Sequence, residues 1–325
     1  MKRRHFLALL GGTAAAWTGA THAQKAPSRI GFLGSGAAAS INSAYQIQTL
    51  KRGLEDNGLV EGRDYVLDAH FAAGKYEQFP QMARELAQAG ARVILVNTIA
   101  SVRAAQALVP PVPIVMLAIN DPVGTGLIAS LGRPGGATTG MASLNEALTP
   151  KLLDLLRALV PNARTLAILY NPENPTNNVF LEDLRGRAGA LGISVAPVAV
   201  RSRDEIEAAF VSLDAKRPDA VQVLVDSGLF DLADRIAALA FIHRIPLFAN
   251  SPDFARLGGL VAYGAPREQV YLRSAFYVKR ILDGANPGDL PVEQPSRFEM
   301  WINLKTAAGL GITVPASLLA DKVFE

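Results

Sequence analysis

Ser35, Asn97, Thr98, Asn120, Asp121, Asn171, Asn174, Asp226, Ser227, Asn250, Ser251 and Tyr263 each close or directly follow a short apolar run. Small hydrogen-bonding side chains dominate this set, with two carboxylates and no histidine, lysine or arginine. Such residues hold a molecule by donors and acceptors but are poorly equipped to move protons. Ser35, Thr98 and Ser101 precede predicted helices, whose unpaired N–H groups and positive dipole end favour an anion such as a carboxylate; the competing role is that of N-caps. Asp121 and Asp226 would complement an ammonium group, or else cap the helices that follow them. Tyr45, Tyr170, Phe230 and Tyr263 could wall a site around an apolar or aromatic group, or belong to the core.

Signatures of catalysis and of cofactors fail one by one. Beyond the first 23 residues the only histidines are His70 and His243, far apart and without a partner at helical spacing. No grouping of His, Cys and carboxylates has the spacing of a zinc site. "GSGAAAS" follows a strand like a dinucleotide loop, but Ala39 stands where the third glycine belongs. There is neither a P-loop nor a G-x-S-x-G elbow. The reading is therefore of a binding protein, not an enzyme, with no cofactor and no metal.

The elements that must position these residues follow from hydrophobic pattern. Continuous apolar segments at 29–36, 93–98, 114–121, 166–174, 221–228, 245–251 and 260–266 read as parallel strands buried on both faces. Amphipathic helices between them end at Gly58, Gly90 and Gly192, where a helix terminus favours a left-handed residue. Alternating strand and helix demand an α/β fold with right-handed crossovers. The pattern also restarts: strand, loop, helix and strand "YVLDAHF" from Ile30 reappear from Leu166 through "ISVAPVAV". Two similar lobes are expected, with a switch near "RPGGATTGMAS" at 133–143. A return near 251–260 and a last crossing near "LPVEQPSRFEMWINL" make the lobes discontinuous, 28–143 plus 252–288 and 144–251 plus 289–325. A linear pair of independent domains is the alternative. In open sheets of this kind ligands bind outside the carboxyl ends of the strands, where the residues named above lie.

The first residues, "MKRRHFLALLGGTAAAWTGATHAQ", carry a positive n-region, an apolar stretch too short and too glycine-rich to span a bilayer, and small residues before a cleavage site. Residues 1–23 read as a signal peptide, with Arg3-Arg4 of twin-arginine type and an ordinary Sec signal as the alternative. Removing them takes three of the 32 basic residues and no acidic ones, leaving 29 against 29. A neutral chain without basic runs has no electrostatic footprint for nucleic acid. With no cysteine there is no disulfide, no thiolate and no lipid attached through one.

"NDPVGTGLIASLGRPGGATTGM" at 120–141, "NPENP" at 171–175 and "FEMWINLKTAAGLGITVPASLLADKV" at 298–323 resemble the exported substrate-binding proteins of ABC transporters often labelled tryptophan/tyrosine-type. "IGFLGSG" near the start and "YG" at 263–264 extend the likeness over the whole exported chain. Two departures stand out, "NTIAS" for a more glycine-rich loop and Ala137 where an asparagine usually follows RPGG. The resemblance implies a type I periplasmic binding-protein fold, two Rossmann-like lobes with parallel sheets joined by three hinge crossings. It further implies that a small molecule is closed between the lobes and delivered to a permease with a cytoplasmic ATPase. Ser35, Asn120, Asp121, Asn171, Asn174 and Asp226 match family ligand positions. The expected protein is a monomeric, periplasmic receptor for an amino acid or similar carboxylate, not embedded in the membrane. A ligand-binding module reporting to a signalling protein is the alternative.

Overall fold

The computed structural model describes residues 26–201 and 203–325; the expected signal peptide, residues 1–23, lies outside them. Among the described residues twelve strands and eleven α-helices follow one another, for the most part in alternation. In the first half these are β1 (Ser28–Gly34), α1 (Ile41–Asp56), β2 (Tyr65–Phe71), α2 (Phe79–Gln88), β3 (Ala91–Val96), α3 (Ile99–Gln106), β4 (Ile114–Asn120) and β5 (Thr138–Ser143). The second half begins with α4 (Asn145–Leu159), β6 (Thr165–Tyr170), α5 (Pro175–Ala190), β7 (Ser194–Ala199), α6 (Arg203–Lys216) and β8 (Ala220–Val223). It continues through α7 (Ser227–Asp231), α8 (Ala233–Ile242), β9 (Leu247–Ala249), α9 (Asp253–Arg256) and β10 (Val261–Gly264). The chain ends with α10 (Arg267–Leu282), β11 (Glu299–Asn303), α11 (Leu304–Leu310) and β12 (Lys322–Phe324).

The strands form two sheets of the same design. The first has the order β2-β1-β3-β4-β5 and the second β7-β6-β8-β9-β10, extended by β11 and β12. Every pairing is parallel except that of β10 with β11. Order 2-1-3-4-5 places a topological switch point between β1 and β3, and another between β6 and β8, where helices leave to opposite faces and a crevice opens. Both faces of each sheet are covered, which explains the unbroken apolar runs. In the first lobe Leu33, Ile94 and Met116 pack under α2 and α3, while Ile30, Phe32 and Val115 pack under α1 and α10. In the second, Leu169, Val221 and Leu247 face α6 and α8, and Ile168, Phe248 and Val261 face α4 and α5.

Three chain crossings join the lobes: after Ser143, between Gly264 and Arg267, and between Glu293 and Glu299. A linear pair of domains is thereby excluded. The second and third crossings depart from the expected boundaries, and the segment before the first differs from its expected form. "TTGMAS" is not a connecting loop but the buried edge strand β5, concealed in the sequence by its threonines and glycine. Residues 252–264 stay with the second lobe, because β10 is hydrogen-bonded between β9 and β11; the chain returns to the first lobe only with α10, which packs along α1. Residues 292–293 also remain with the first lobe: the Val292 N–H donates to the Leu131 carbonyl and Glu293 bridges Met141 beside β5. Arg273 of α10 holds the Glu293 carboxylate through two bonds of 2.8 and 2.6 Å and keeps its carboxyl below the usual range.

The α1–α10 contact depends on one missing side chain. A Cβ on Gly53 would lie 2.9 Å from the Ala275 Cβ and 3.0 Å from the Leu272 Cα. Gly186, on the exposed side of α5, has nothing within 4 Å of such an atom. Gly53→Val should therefore overpack the joint and lower unfolding free energy by about 1–3 kcal/mol. Gly186→Ala should raise it by about 0.4–1 kcal/mol through the unfolded chain's lost entropy. Urea titrations of the two variants check both signs.

Candidate functional site: a buried carboxylate between two switch points

At the first switch point Ser35 follows β1 and Asn97 follows β3. The Ser35 backbone N–H and hydroxyl both donate to Asn97 Oδ1, at 3.2 and 3.3 Å. The loop after β2 is tied to the same place, since the N–H groups of Ala72, Ala73 and Gly74 donate to the carbonyls of Gly34, Gly36 and Ser35. That anchorage carries Tyr76, in a 3-10 turn at Tyr76–Gln78, to the mouth of the crevice.

At the second switch point Asn171 and Asn174 follow β6 and Asp226 follows β8. Asp226 is 3% exposed. Its Oδ1 accepts the N–H groups of Gly228 and Leu229 at 2.9 and 3.3 Å, capping α7. Its Oδ2 accepts Asn171 Nδ2 at 3.3 Å and Asn174 Nδ2 at 3.0 Å. A buried carboxylate without donors would cost several kcal/mol, and here the "NPENP" loop supplies them. That loop is itself held by the fully buried Asn177, whose Oδ1 accepts the Asn171 N–H while its Nδ2 donates to the Val225 carbonyl.

The two halves meet at this carboxylate. The Tyr76 hydroxyl, from the first lobe, donates to Asp226 Oδ2 at 3.0 Å. Burial first, and the adjacent Asp226 charge second, push the Tyr76 phenol far above its ordinary value, so it stays a proton donor, with Ser35 as a polar neighbour. Asn97, Ser35, Tyr76, Asp226, Asn171 and Asn174 thus form one polar chain across the gap, running from one switch point to the other.

Other expected residues sit elsewhere in the architecture. Thr98 and Ser101 cap α3 reciprocally, each side chain accepting the other's backbone N–H at 3.1 Å, so these donors are consumed within the helix start. Asp121 is exposed, has a φ of 37°, and accepts the Gly124 N–H at 2.8 Å; its carboxylate closes its own turn instead of facing an ammonium group in the network. Asn120 accepts the Ser143 hydroxyl at 3.0 Å, at the first crossing between lobes. Ser227 is the first residue of α7. Asn250 and Ser251 are buried at the end of β9, and the Ser251 hydroxyl, among the described residues, is a buried polar atom with no protein partner. Tyr263 stacks on Phe298 at 6.1 Å between ring centroids and packs with Tyr170 against the second lobe's core. Tyr45 and Phe230 both flank the Arg267 guanidinium, at 5.5 and 4.3 Å.

Tyr76, Asn177 and Arg267 were not foreseen. Tyr76 lies away from the ends of apolar runs, Asn177 lies within a helix, and Arg267 directly follows the run at 260–266 but is a base outside the small polar types singled out there; only the folded arrangement brings them to the crevice. His70 and His243 lie apart from the site, paired with Asp68 and Glu85 and with Asp214 respectively. Among the described residues no three His, Asp or Glu side chains gather as a metal site, and no helix is long and apolar enough to cross a membrane.

Comparison with known proteins agrees with this architecture. A structure of an ABC domain in complex with L-Trp from Streptococcus pneumonia superposes with a TM-score of 0.79 and 25% identity, covering 91% of this chain and 100% of that one. A conserved domain protein from Vibrio cholerae gives 0.80 and 25%, covering 91% and 99%. A tyrosine-binding protein from Clostridioides difficile is 25% identical over 272 residues, 84% of this chain and 77% of the relative. The two lobes and three crossings are those of a type I periplasmic binding protein. The profile of the ABC transporter substrate binding protein family matches residues 40–323, so this chain belongs to that family.

Proposed function

We propose that the protein is the periplasmic solute-binding component of an ABC importer, taking an amino acid or similar small carboxylate between its lobes and passing it, unchanged, to a membrane permease driven by a cytoplasmic ATPase. The observation that carries this reading is the Asp226 node, because one buried carboxylate is reached by donors of both lobes at their switch points. Family membership and the relatives that hold L-Trp or are named for tyrosine support the solute class. Export by the leader at residues 1–23, by the twin-arginine or Sec route, and action as a monomer belong to the same proposal.

In this reading the solute's ammonium group takes the place on Asp226 Oδ2 that the Tyr76 hydroxyl holds, exchanging a neutral donor for a cation. Asn171 and Asn174 orient the carboxylate. Ser35, Asn97, Asn250 and Ser251 supply further hydrogen bonds from the two rims, and Tyr263 an aromatic wall. Solute contacts made by both lobes favour the shut state over the open one, so binding and closure are one equilibrium. The Ser251 hydroxyl, buried without a protein partner, is the kind of group that a solute or an ordered water completes.

L-tryptophan or L-tyrosine should raise the melting temperature by mass action, and mass spectrometry should recover the solute chemically intact. Asp226→Asn keeps the side-chain oxygen that caps α7, asparagine being as good a cap as aspartate, yet removes the charge. Calorimetry should show affinity falling by roughly 30-fold or more, in line with about 2–5 kcal/mol for one member of a buried charged contact. Equal affinity in wild type and variant would remove Asp226 from the site. Ser251→Ala should weaken binding by up to about tenfold, the net worth of one hydrogen bond, with the urea midpoint unchanged because no protein bond is lost.

A further inference from the structure

Asp231, at the end of α7, has every side-chain partner on the opposite lobe. Its Oδ2 accepts the Ala37 N–H at 2.9 Å, and its Oδ1 accepts the Ser40 hydroxyl at 2.8 Å and Asn42 Nδ2 at 3.1 Å. Ser40 is the N-cap of α1, so a second-lobe carboxylate fills the place where that helix favours an anion. Gly36 leaves room for it, since a Cβ there would stand 2.9 Å from Asp231 Oδ2. One residue earlier, the Phe230 ring lies 4.3 Å from the guanidinium of Arg267, a first-lobe residue of α10 that also donates to Asn42 Oδ1. Within six residues, Asp226, Phe230 and Asp231 therefore each grip the other lobe.

We propose that Asp231 is a latch for closure: a positioning residue that holds the lobes together through the α1 N-terminus without touching the solute, and so sets how long the cleft keeps its contents. The inference rests on the reading of the cleft as a solute site. Three charge-assisted bonds are formed only when the lobes meet, and such bonds are about twice as strong as neutral ones. They favour the shut state before any solute arrives, so the solute supplies less of the work of closing and leaves more slowly. Because the loop at 36–42 already holds a protein carboxylate, the solute's own carboxylate is bound elsewhere.

The test compares wild type with Asp231→Ala and Asp231→Asn, using small-angle scattering without solute and stopped-flow binding of L-tryptophan or L-tyrosine. Expected are a larger radius of gyration for both variants without solute and a dissociation rate raised about tenfold or more, with the association rate changed by less than about threefold. Circular dichroism verifies folding, and the isosteric asparagine variant carries the test should the alanine variant misfold. Unchanged scattering together with an unchanged dissociation rate would overturn the latch. The scattering arm needs no solute, so failure of both amino acids to bind would count against the site reading alone, and unchanged scattering would then by itself overturn the latch.

Discussion

A buried carboxylate must be surrounded by donors, and that requirement at Asp226 organises the centre of the molecule. Two backbone N–H groups come from the helix it caps, two amides from the loop after β6, and a phenol from the other lobe. Idealised transfer of such a charge into a dry interior costs on the order of 20 kcal/mol, and several kcal/mol remain after relaxation. The four second-lobe donors offset that cost whether or not the lobes are together. The fifth, Tyr76, is the one that separation of the lobes would remove. The site is thus built so that its charge is stable in one lobe and completed by the other.

Chain topology makes that completion reversible. Each lobe has its own sheet, with helices over both faces, so neither depends on the other for its core. Among the described residues, three crossings, a set of polar contacts and the Phe230–Arg267 contact join them. The crossings are firmly seated: Glu293 is held by Arg273 and beside β5, Asn120 and Ser143 are bonded in the first lobe where the first passage begins, and α10 closes against α1 through Gly53. Rigid bodies with a narrow, well-anchored connection move as hinges. The polar face between them, which loses no hydrophobic core on opening, is suited to parting and meeting again.

Helix α7 concentrates this role. It has only five residues, too few to stand alone as a helix, and is kept in place by its Asp226 cap and by Leu229 in the core. Its half-buried C-terminal end thereby presents Phe230 and Asp231 to the first lobe. In the sequence Phe230 stands out only as an aromatic that could wall a site and Asp231 resembles an ordinary position of an amphipathic helix, while the anion-accepting loop that Asp231 meets lies 191 residues earlier at Ser40.

The duplicated α/β pattern, the strand ends and most residues of the Asp226 node were legible in the sequence, because buried parallel strands leave unbroken apolar runs and their carboxyl ends follow automatically. Ser35, Asn171, Asn174 and Asp226 were nominated on that ground, and the folded chain gathers all four. Thr98, Ser101 and Asp121 carried the same local signal yet spend their donors and acceptors on caps and turns, which no spacing rule distinguishes from solute contacts. The edge strand β5 lacked an apolar run, and the assignment of β10 rested on hydrogen bonds to β9 and β11 that only pairing reveals. Tyr76, Asp231 and Arg267 acquire their meaning across the gap between lobes. Local pattern determines which segments are strands and helices, since backbone geometry and burial act over a few residues. Which side chains face each other across a cleft is decided by the docking of distant segments, and that is a property of the tertiary structure alone.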